Sequence, residues 1–492
     1  MPFASRSKSS LCQSSRTRST SYASSLARGP SQRSRSQRST QPLETQRAKT
    51  LTRKPQVLKG FRDYLPRQMI LRQRIIGIFR AIFERHGFEP LDTPALEYLE
   101  VLTGKAGENE KLMYRFQDLG GRDVGLRYDL TVPLARVVAM HQHELVLPFK
   151  RYHIAPVWRA ENPQRGRFRE FWQCDADIAG TSSMLADAEV VAIMAEALTA
   201  VNLPNFTIHI NHRRLLEALA RACGVPAELA GSIYRAVDKL EKIGPEGVLR
   251  EMKTAGITAP VAEHVLSAVT ISGDPQVMLA ELRARLADVP GALEAIEELR
   301  QLFDLLPSFG VPQDRYRFNL GLARGLDYYT GPVYEATVDQ PKVGAVSGAG
   351  RYDGLIGVFL GRPIPATGIS LGLERIIEVV QEFGLLETPP TVAQVLVALF
   401  PDTVGPAAEI AQALRADGIN VDFSLQPNRS LGDQLKYADR KGIPLAVITG
   451  ADELTRGEAT LKDLRTGHQA AVPLSDLPSA VRSRLSQAPS TL

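Results

Sequence analysis

The stretch KRYHIAPVWRAENPQRGRFREFWQCDADIAG, Lys150 to Gly180, decides the fold. Tyr152, Ile154 and Val157 on one side and Phe168, Phe171 and Trp172 on the other predict two antiparallel strands, with Asn162 to Gly166 as the charged loop between them. Arg151, Arg159, Arg165, Arg167 and Arg169 crowd into this hairpin. They cannot all be buried unpaired, and a planar guanidinium suits phosphate and carboxylate groups better than an ammonium does. Two readings stand at this point: a polyanion clamp built on strands, or a solvated basic hairpin.

Outward toward the N-terminus, apolar residues from Met69 to Phe83 fall at helical spacing within Pro66 to His86, and Gly87 supplies the stop. FEPLDTPALEY follows as an extended segment punctuated by Pro90 and Pro94, and Tyr114 to Phe116 and Val124 to Tyr128 read as further strands. Leu130 to His141 and Met184 to Leu198 read as helices. From about Asn211 to Leu306 the chain is rich in Ala, Leu, Glu and Arg, and strand-like sequence returns at Tyr316 to Leu322 and Val333 to Val338, so this helical block is expected to be a domain inserted into a sheet. A helix from Leu373 to Phe383 leads into a Pro-marked linker, Glu387 to Thr391. Beyond it, strands and helices alternate from Val395 to Thr449 and two weaker strands and a last helix follow, which predicts a small α/β domain with a mainly parallel sheet.

Composition bounds the function. The chain of 492 residues carries +5, yet residues 1–56 hold twelve Lys or Arg against Glu44 alone, so +11 lies there and −6 on the rest. The folded body is therefore not basic in bulk, and any nucleic-acid contact must come from local patches. Cys12, Cys174 and Cys223 are too few and too scattered for a disulfide framework or a zinc site, and a reducing compartment fits best. There is no run of about eighteen apolar residues to cross a membrane. The Ser- and Arg-rich residues 1–56 are expected to be disordered. They read as an organelle transit peptide, a dispensable tail or a mis-assigned start, and the protein is expected in the cytoplasm unless the first of these holds.

Several segments beside the hairpin look built for a small polar ligand. LRYDLTVPLARVVA puts Asp129 and Thr131 at a strand end where a period of two lets both face one pocket, with a helix N-cap as the alternative for Asp129. LARGLDYYTGPVYEA brings Arg324, Tyr328 and Tyr329 to a turn. SGAGRYDG lacks the G-x-G-x-x-G spacing of a dinucleotide fingerprint, and its glycines are expected to allow close approach to a ligand or another strand. ATGISLGLERI carries Arg375 to a strand-to-helix junction, where it meets an anion or forms a surface ion pair.

Over Val57 to Leu477 the sequence resembles the histidyl-tRNA synthetases, class II aminoacyl-tRNA synthetases. GFEPLDTPALE looks like the class's first motif, with its proline at Pro94, and the 150–180 hairpin like the second. GLERI looks like the third, and RGLDYYTGPVYE and GRYDGL resemble the two segments peculiar to the histidine enzyme. The resemblance implies an α+β catalytic domain with a mostly antiparallel sheet over residues 57–388, a helical insertion at about 211–306, and an anticodon-binding α/β domain over 392–488. It implies ATP held by Arg159, Glu161, Arg167, Phe171 and Arg375, with Mg²⁺ accompanying it. Histidine would be met by Asp129, Thr131, Gln173, Asp177, Arg324, Tyr328, Tyr329 and Tyr352, with Arg159, Arg324 and Arg375 at the reacting centre. It implies tRNA(His) as partner, with Arg165 on the RNA-facing side of the hairpin loop, Arg151 and Arg169 as structural arginines, Arg429, Lys436, Arg440 and Lys441 of PNRSLGDQLKYADRKGI toward RNA, and a homodimer. Two departures stand out: Gly432, where the family often has a basic residue, and Ala349, in a segment usually richer in glycine. The alternative is an inactive synthetase-like regulatory subunit of ATP phosphoribosyltransferase, which is expected to lack catalytic arginines and the C-terminal domain.

Overall fold

In the computed structural model of the chain, residues 54–103, 107–323 and 328–487 are described. The expectation for residues 1–56 lies almost wholly outside them, and Arg324 lies outside them altogether. The chain divides into Met1–Gln56 and Val57–Leu492, and every described helix and strand belongs to the second unit.

Four strands precede the hairpin: β1 (Glu89–Pro90), β2 (Leu96–Tyr98), β3 (Arg115–Gln117) and β4 (Asp123–Leu126). The hairpin is β5 (Phe149–Trp158) against β6 (Glu170–Ala179). After it come β7 (Phe206–His212), β8 (Tyr316–Phe318), β9 (Pro332–Val338), β10 (Ser347–Arg351) and β11 (Ala366–Gly372). Eight of these form one sheet in the order β1-β5-β6-β11-β10-β9-β7-β8, while β2-β4-β3 make a small separate sheet. The large sheet is antiparallel from β5 through β7, and only the edge strands β1 and β8 run parallel to their neighbours. The mostly antiparallel large sheet is therefore as expected.

Alternation along the strands gives this sheet two unlike faces. Tyr152, Cys174, Ala176, Ile178, Ala349, Ile369 and Leu371 point into the main apolar core. Ala349, the residue out of place in a glycine-rich segment, thus fills the core side of β10. Helices Pro66–Arg85 and Met184–Ala200 cover that side. The first buries Ile75, Ile76, Phe79, Ile82 and Phe83 along one stripe; each such side chain contributes roughly 1.5–3 kcal/mol, and Phe79→Ala is the single change expected to open the largest hole there. Its exposed start is fixed by Pro66 at the first helical position and its end by Gly87 in the left-handed region. Within the covered face, Arg72 pairs with Glu374 at 2.9 Å, and Glu374 also accepts from the Trp172 backbone N–H at 3.0 Å. One buried ion pair so ties the first helix, the hairpin and the helix Leu373–Phe383 together.

The helical block departs from its sequence reading. Asn211 and His212 belong to β7, so the block begins later than expected. Its helices split between two cores. Leu216, Ile233, Val237, Val248, Met252, Val265 and Val269 share a core of their own, whereas Met278, Leu282, Ile296, Leu299 and Phe303 pack into the main core. A self-contained subdomain thus ends near Val269, and the helices Pro275–Arg285 and Ala292–Leu305 belong to the body built on the large sheet. Uniform Ala, Leu, Glu and Arg composition hid that division.

Beyond the linker, β12 (Val395–Ala398), β13 (Val421–Phe423), β14 (Leu445–Ile448), β15 (Glu458–Asp463) and β16 (Gln469–Pro473) form a second sheet, order β13-β12-β14-β15-β16. The first three strands are parallel and the last two antiparallel, so the sheet is mixed where a mainly parallel one was expected. The α/β alternation itself is as read.

Candidate functional site

The polar face of the large sheet is built in rows. Across β5, β6, β11 and β10 the partners are Arg151, Asp177, Gly368 and Gly350 in one row and His153, Asp175, Ser370 and Gly348 in the next; Ala155, Gln173 and Gly372 follow. Partners directly opposite share a face, so every one of these residues looks the same way. The glycines make room above the strands. A Cβ on Gly368 would stand 2.0 Å from Asp177 Oδ1, and one on Gly350 would stand 2.8 Å from the Tyr329 ring. Of the SGAGRYDG glycines expected to allow close approach, Gly350 does so, toward the Tyr329 ring and the Pro332 carbonyl of the neighbouring strand, whereas a Cβ on Gly348 would meet nothing within 4 Å.

In the first row Arg151 is fully buried, ion-paired with Asp177 at 2.8 Å and donating to the Leu130 carbonyl at 3.0 Å. Asp177 Oδ1 also accepts from the Tyr352 hydroxyl. Tyr328 packs edge-on against Tyr352 and Tyr329, with centroids 5.8 and 5.1 Å away, and bonds the Thr131 hydroxyl. In the second row Ser370 accepts from Gln173 Nε2 at 2.8 Å and bonds the Asp175 carboxyl. His153 meets Asp92 at 2.9 Å; burial first, then Arg151 and Arg127, push its imidazole down to about 3, so it is neutral.

Asp129 and Thr131 do not lie on a strand end as expected. β4 stops at Leu126, and Thr131 opens the helix Thr131–Met140. Asp129 Oδ1 accepts from the Val132 N–H at 3.0 Å, satisfying one of the helix's orphan donors. Its Oδ2, buried, has no partner among the described residues. The capping reading of Asp129 thus holds for one oxygen, while the other is buried and unused among the described residues. Burial pushes this carboxyl up to about 6, against the Val132 hydrogen bond and the nearby Arg159. Gln173 Oε1 and Asp175 Oδ1 are likewise buried without a partner among the described residues.

The arginines gather at the open end of β5 and β6. Arg159 donates to the Tyr128 carbonyl at 2.9 Å and its guanidinium lies 5.2 Å from the Phe171 ring centroid. Arg167 pairs with the buried Glu161, whose carbonyl accepts from Arg169 at 3.1 Å. Arg375 opens the helix that follows β11 and donates to the Ala345 carbonyl. Gly166, left-handed at φ 66, lies against it: a Cβ there would come 3.1 Å from Arg375 Cγ. Arg165, expected on the RNA-facing side of the loop, is held by Glu378 at 3.0 Å and Glu382 at 2.7 Å. The structure thus brings together acids, tyrosines and arginines from five separate segments.

Residues 60–376 match the family profile described as histidyl-tRNA synthetase, and residues 394–484 match that of the anticodon binding domain. The chain belongs to the histidyl-tRNA synthetase family. It is 44% identical over 443 residues to a histidine--tRNA ligase of Aeropyrum pernix, covering 88% of this chain and 99% of that protein. A histidine--tRNA ligase of Rhodopirellula baltica is 43% identical over 425 residues, covering 86% and 96%. The crystal structure of histidyl-tRNA synthetase from Nostoc sp. PCC 7120 superposes with a TM-score of 0.78 at 35% identity, covering 87% of this chain and 99% of that one. The regulatory-subunit alternative has less support, because ligase-named relatives match over nearly their whole length and the anticodon-binding segment is present.

As a member of the histidyl-tRNA synthetase family, the chain is a class II aminoacyl-tRNA synthetase with ATP, histidine and tRNA as substrates. Its sequence had pointed to Gln173 and Asp177; the structure adds Arg151, paired with Asp177, and Asp175 on the same face. The signal was there: Gln173, Asp175 and Asp177 stand at a period of two on one strand and must share a face. In the C-terminal domain, Arg429, Lys436 and Arg440 are exposed around the helix Leu431–Lys441. Lys441 is engaged with Asp422 at 2.6 Å.

Proposed function

We propose that Asp129, Thr131, Gln173 and Asp177 receive the histidine ammonium group and its neighbouring polar atoms, while Tyr328, Tyr329 and Tyr352 line the imidazole. Arg159 and Arg375 meet the ATP phosphates from opposite sides, Arg167 swings from Glu161 to the terminal phosphate, and Phe171 stacks on adenine. Arg324 stands by the reacting carboxylate and α-phosphate. The observation that carries this reading is a pair of buried acceptors without a partner among the described residues, Asp129 Oδ2 and Gln173 Oε1, beside clustered arginines. Burying such acceptors without a donor costs about 1–3 kcal/mol each, which a ligand's N–H groups would offset.

The chemistry follows from placement. The histidine carboxylate, already ionised, attacks the α-phosphorus in line and diphosphate leaves; a ribose hydroxyl at the tRNA 3′ end then takes the histidyl group and AMP leaves. No side-chain nucleophile is needed, and the arginines' task is orientation and charge neutralisation. Among the described residues no three His, Cys, Asp or Glu stand together as metal ligands, and Mg²⁺ fits best as part of the substrate, MgATP.

The homodimer is supported by the small sheet. Tyr98, Val124 and Phe116 form a cross-strand row next to Leu96 and Leu126, and Leu96, Tyr98 and Phe116 are exposed. An apolar face on the first class motif suits a second copy of the chain. No described helix is long and apolar enough to cross a membrane, and we place the protein in the cytoplasm, or in an organelle if residues 1–56 act as a transit peptide. Arg159→Ala tests the site: histidine-dependent exchange of diphosphate into ATP should collapse while the melting temperature holds, and unimpaired exchange would remove Arg159 from the site.

A further inference from the structure

Asp175 is an acid of the pocket with no task in the proposed binding of histidine or ATP. It is 1% exposed, it stands opposite His153 in the strand register, and its Oδ1 has no partner among the described residues. Its neighbours on β6 use their oxygens differently. Asp177 is engaged by Arg151 and by the Tyr352 hydroxyl. Gln173 holds Ser370 and leaves Oε1 open, and Asp129 across the pocket leaves Oδ2 open. An alkylammonium group carries three N–H donors. Asp129 Oδ2, Gln173 Oε1 and Asp175 Oδ1 are three buried acceptors without a partner among the described residues; Gln173 and Asp175 share one face of β6, and Asp129 is close enough to act on the Asp175 carboxyl.

The charges around Asp175 come from every side. Arg151 and the neutral His153 face it from β5, Asp177 flanks it on β6, and Ser370 reaches it from β11. Arg127 and Asp129 act from the segment between β4 and the next helix, and Tyr329 lies above. The Cys174 thiol points to the opposite face, in the main core. Burial raises the Asp175 carboxyl to about 8, Arg151 opposes this, and Asp177 and Asp129 add to it. Without ligand the pocket therefore keeps a proton on this acid at neutral pH.

Resting on the assignment of this pocket to histidine, we propose that Asp175 is an ammonium-binding residue that gives up its proton to solvent when the substrate enters, so that histidine binding releases a proton. The ammonium keeps its own three protons and replaces the lost one as the counter-charge. A buried cation without a carboxylate beside it is costly, and the incoming charge is what makes the ionised form of Asp175 the favoured one. Release is linked to affinity: histidine binds more tightly as pH rises toward about 8, and the coupling fades above it.

Calorimetric titration of the full chain with histidine at neutral pH, in buffers of different ionisation enthalpy, counts the protons. About one proton should leave per histidine bound. Asp175→Asn should abolish most of that release and weaken binding roughly 10- to 100-fold. The wild-type chain gives an independent reading: histidinol, which keeps the amine, should release the proton, and the des-amino analogue imidazolepropionate should not. Histidine binding with an unchanged proton count in Asp175→Asn, or proton release by imidazolepropionate, would overturn the proposal alone. Absence of histidine binding to the wild-type chain would overturn the pocket assignment and the proposal with it.

Discussion

Gly368 lies directly under the Asp177 carboxylate: the two are cross-strand partners, and a Cβ on the glycine would stand 2.0 Å from Oδ1. Gly368→Ala must therefore move Asp177, and with it the Arg151 and Tyr352 contacts that aim it. A displacement of about 1 Å in a reacting site costs on the order of 100-fold, so exchange activity at low histidine should fall by about that much. Gly77, in the first helix with nothing within 4 Å of its added Cβ, is the control. Gly77→Ala should leave activity unchanged and stabilise by up to about 1 kcal/mol.

Arg72 and Glu374 are both almost completely buried, so neither charge has water to fall back on. Burial raises the Glu374 carboxyl, and Arg72 works against that. Glu374→Gln leaves the guanidinium short of its counter-charge, and Arg72→Met leaves the acid alone. Each is expected to cost about 3–5 kcal/mol in denaturant unfolding, with the double change Arg72→Met/Glu374→Gln costing less than the sum.

Glu298 links β7 to the helix Ala292–Leu305 through His212 at 2.7 Å and through Arg214. Burial works to raise its carboxyl, but the hydrogen bonds from His212 and Arg214 win and hold it at about 2, against 4.5 unperturbed. The folded value lies below the unfolded one, so the stabilisation is present above about 4.5 and is lost as pH falls toward about 2. Burial also lowers His212, which adds the same sign. Glu298→Gln should be less stable at neutral pH by about 1–3 kcal/mol and should show a flatter loss of stability below pH 4.5 in melting experiments.

The Arg165 pairs with Glu378 and Glu382 join the hairpin loop to the helix that carries Arg375. Half of the Arg165 side chain is exposed, so these pairs are screened by water and salt. Glu378→Gln/Glu382→Gln should change stability by less than about 1 kcal/mol. Its effect should appear as a raised KM for ATP that wild type approaches at high salt, since the loop is what the pairs hold.

Much of the fold was legible in the sequence. The β5–β6 hairpin, the first helix and the α/β alternation after the linker all follow from periodicity that the structure uses without tertiary override. Other parts were not. SGAGR became β10 although glycine disfavours strands, because Tyr329 needs the space above Gly350 and not because the segment prefers to extend. The end of β7, Asn211 and His212, was absorbed into the helical block, and the split of that block between two cores is invisible to composition. At the site, residue types were readable but partners were not. Asp129 was left between cap and ligand because the sequence does not say that its two oxygens part ways, and Arg165 was assigned outward because its acids lie more than two hundred positions away.

Whether this pocket activates histidine is measured by exchange of labelled diphosphate into ATP, tested across amino acids with the wild-type chain. Exchange is expected with histidine and none above background with the others. Exchange driven by a different amino acid, or by none, would contradict that expectation.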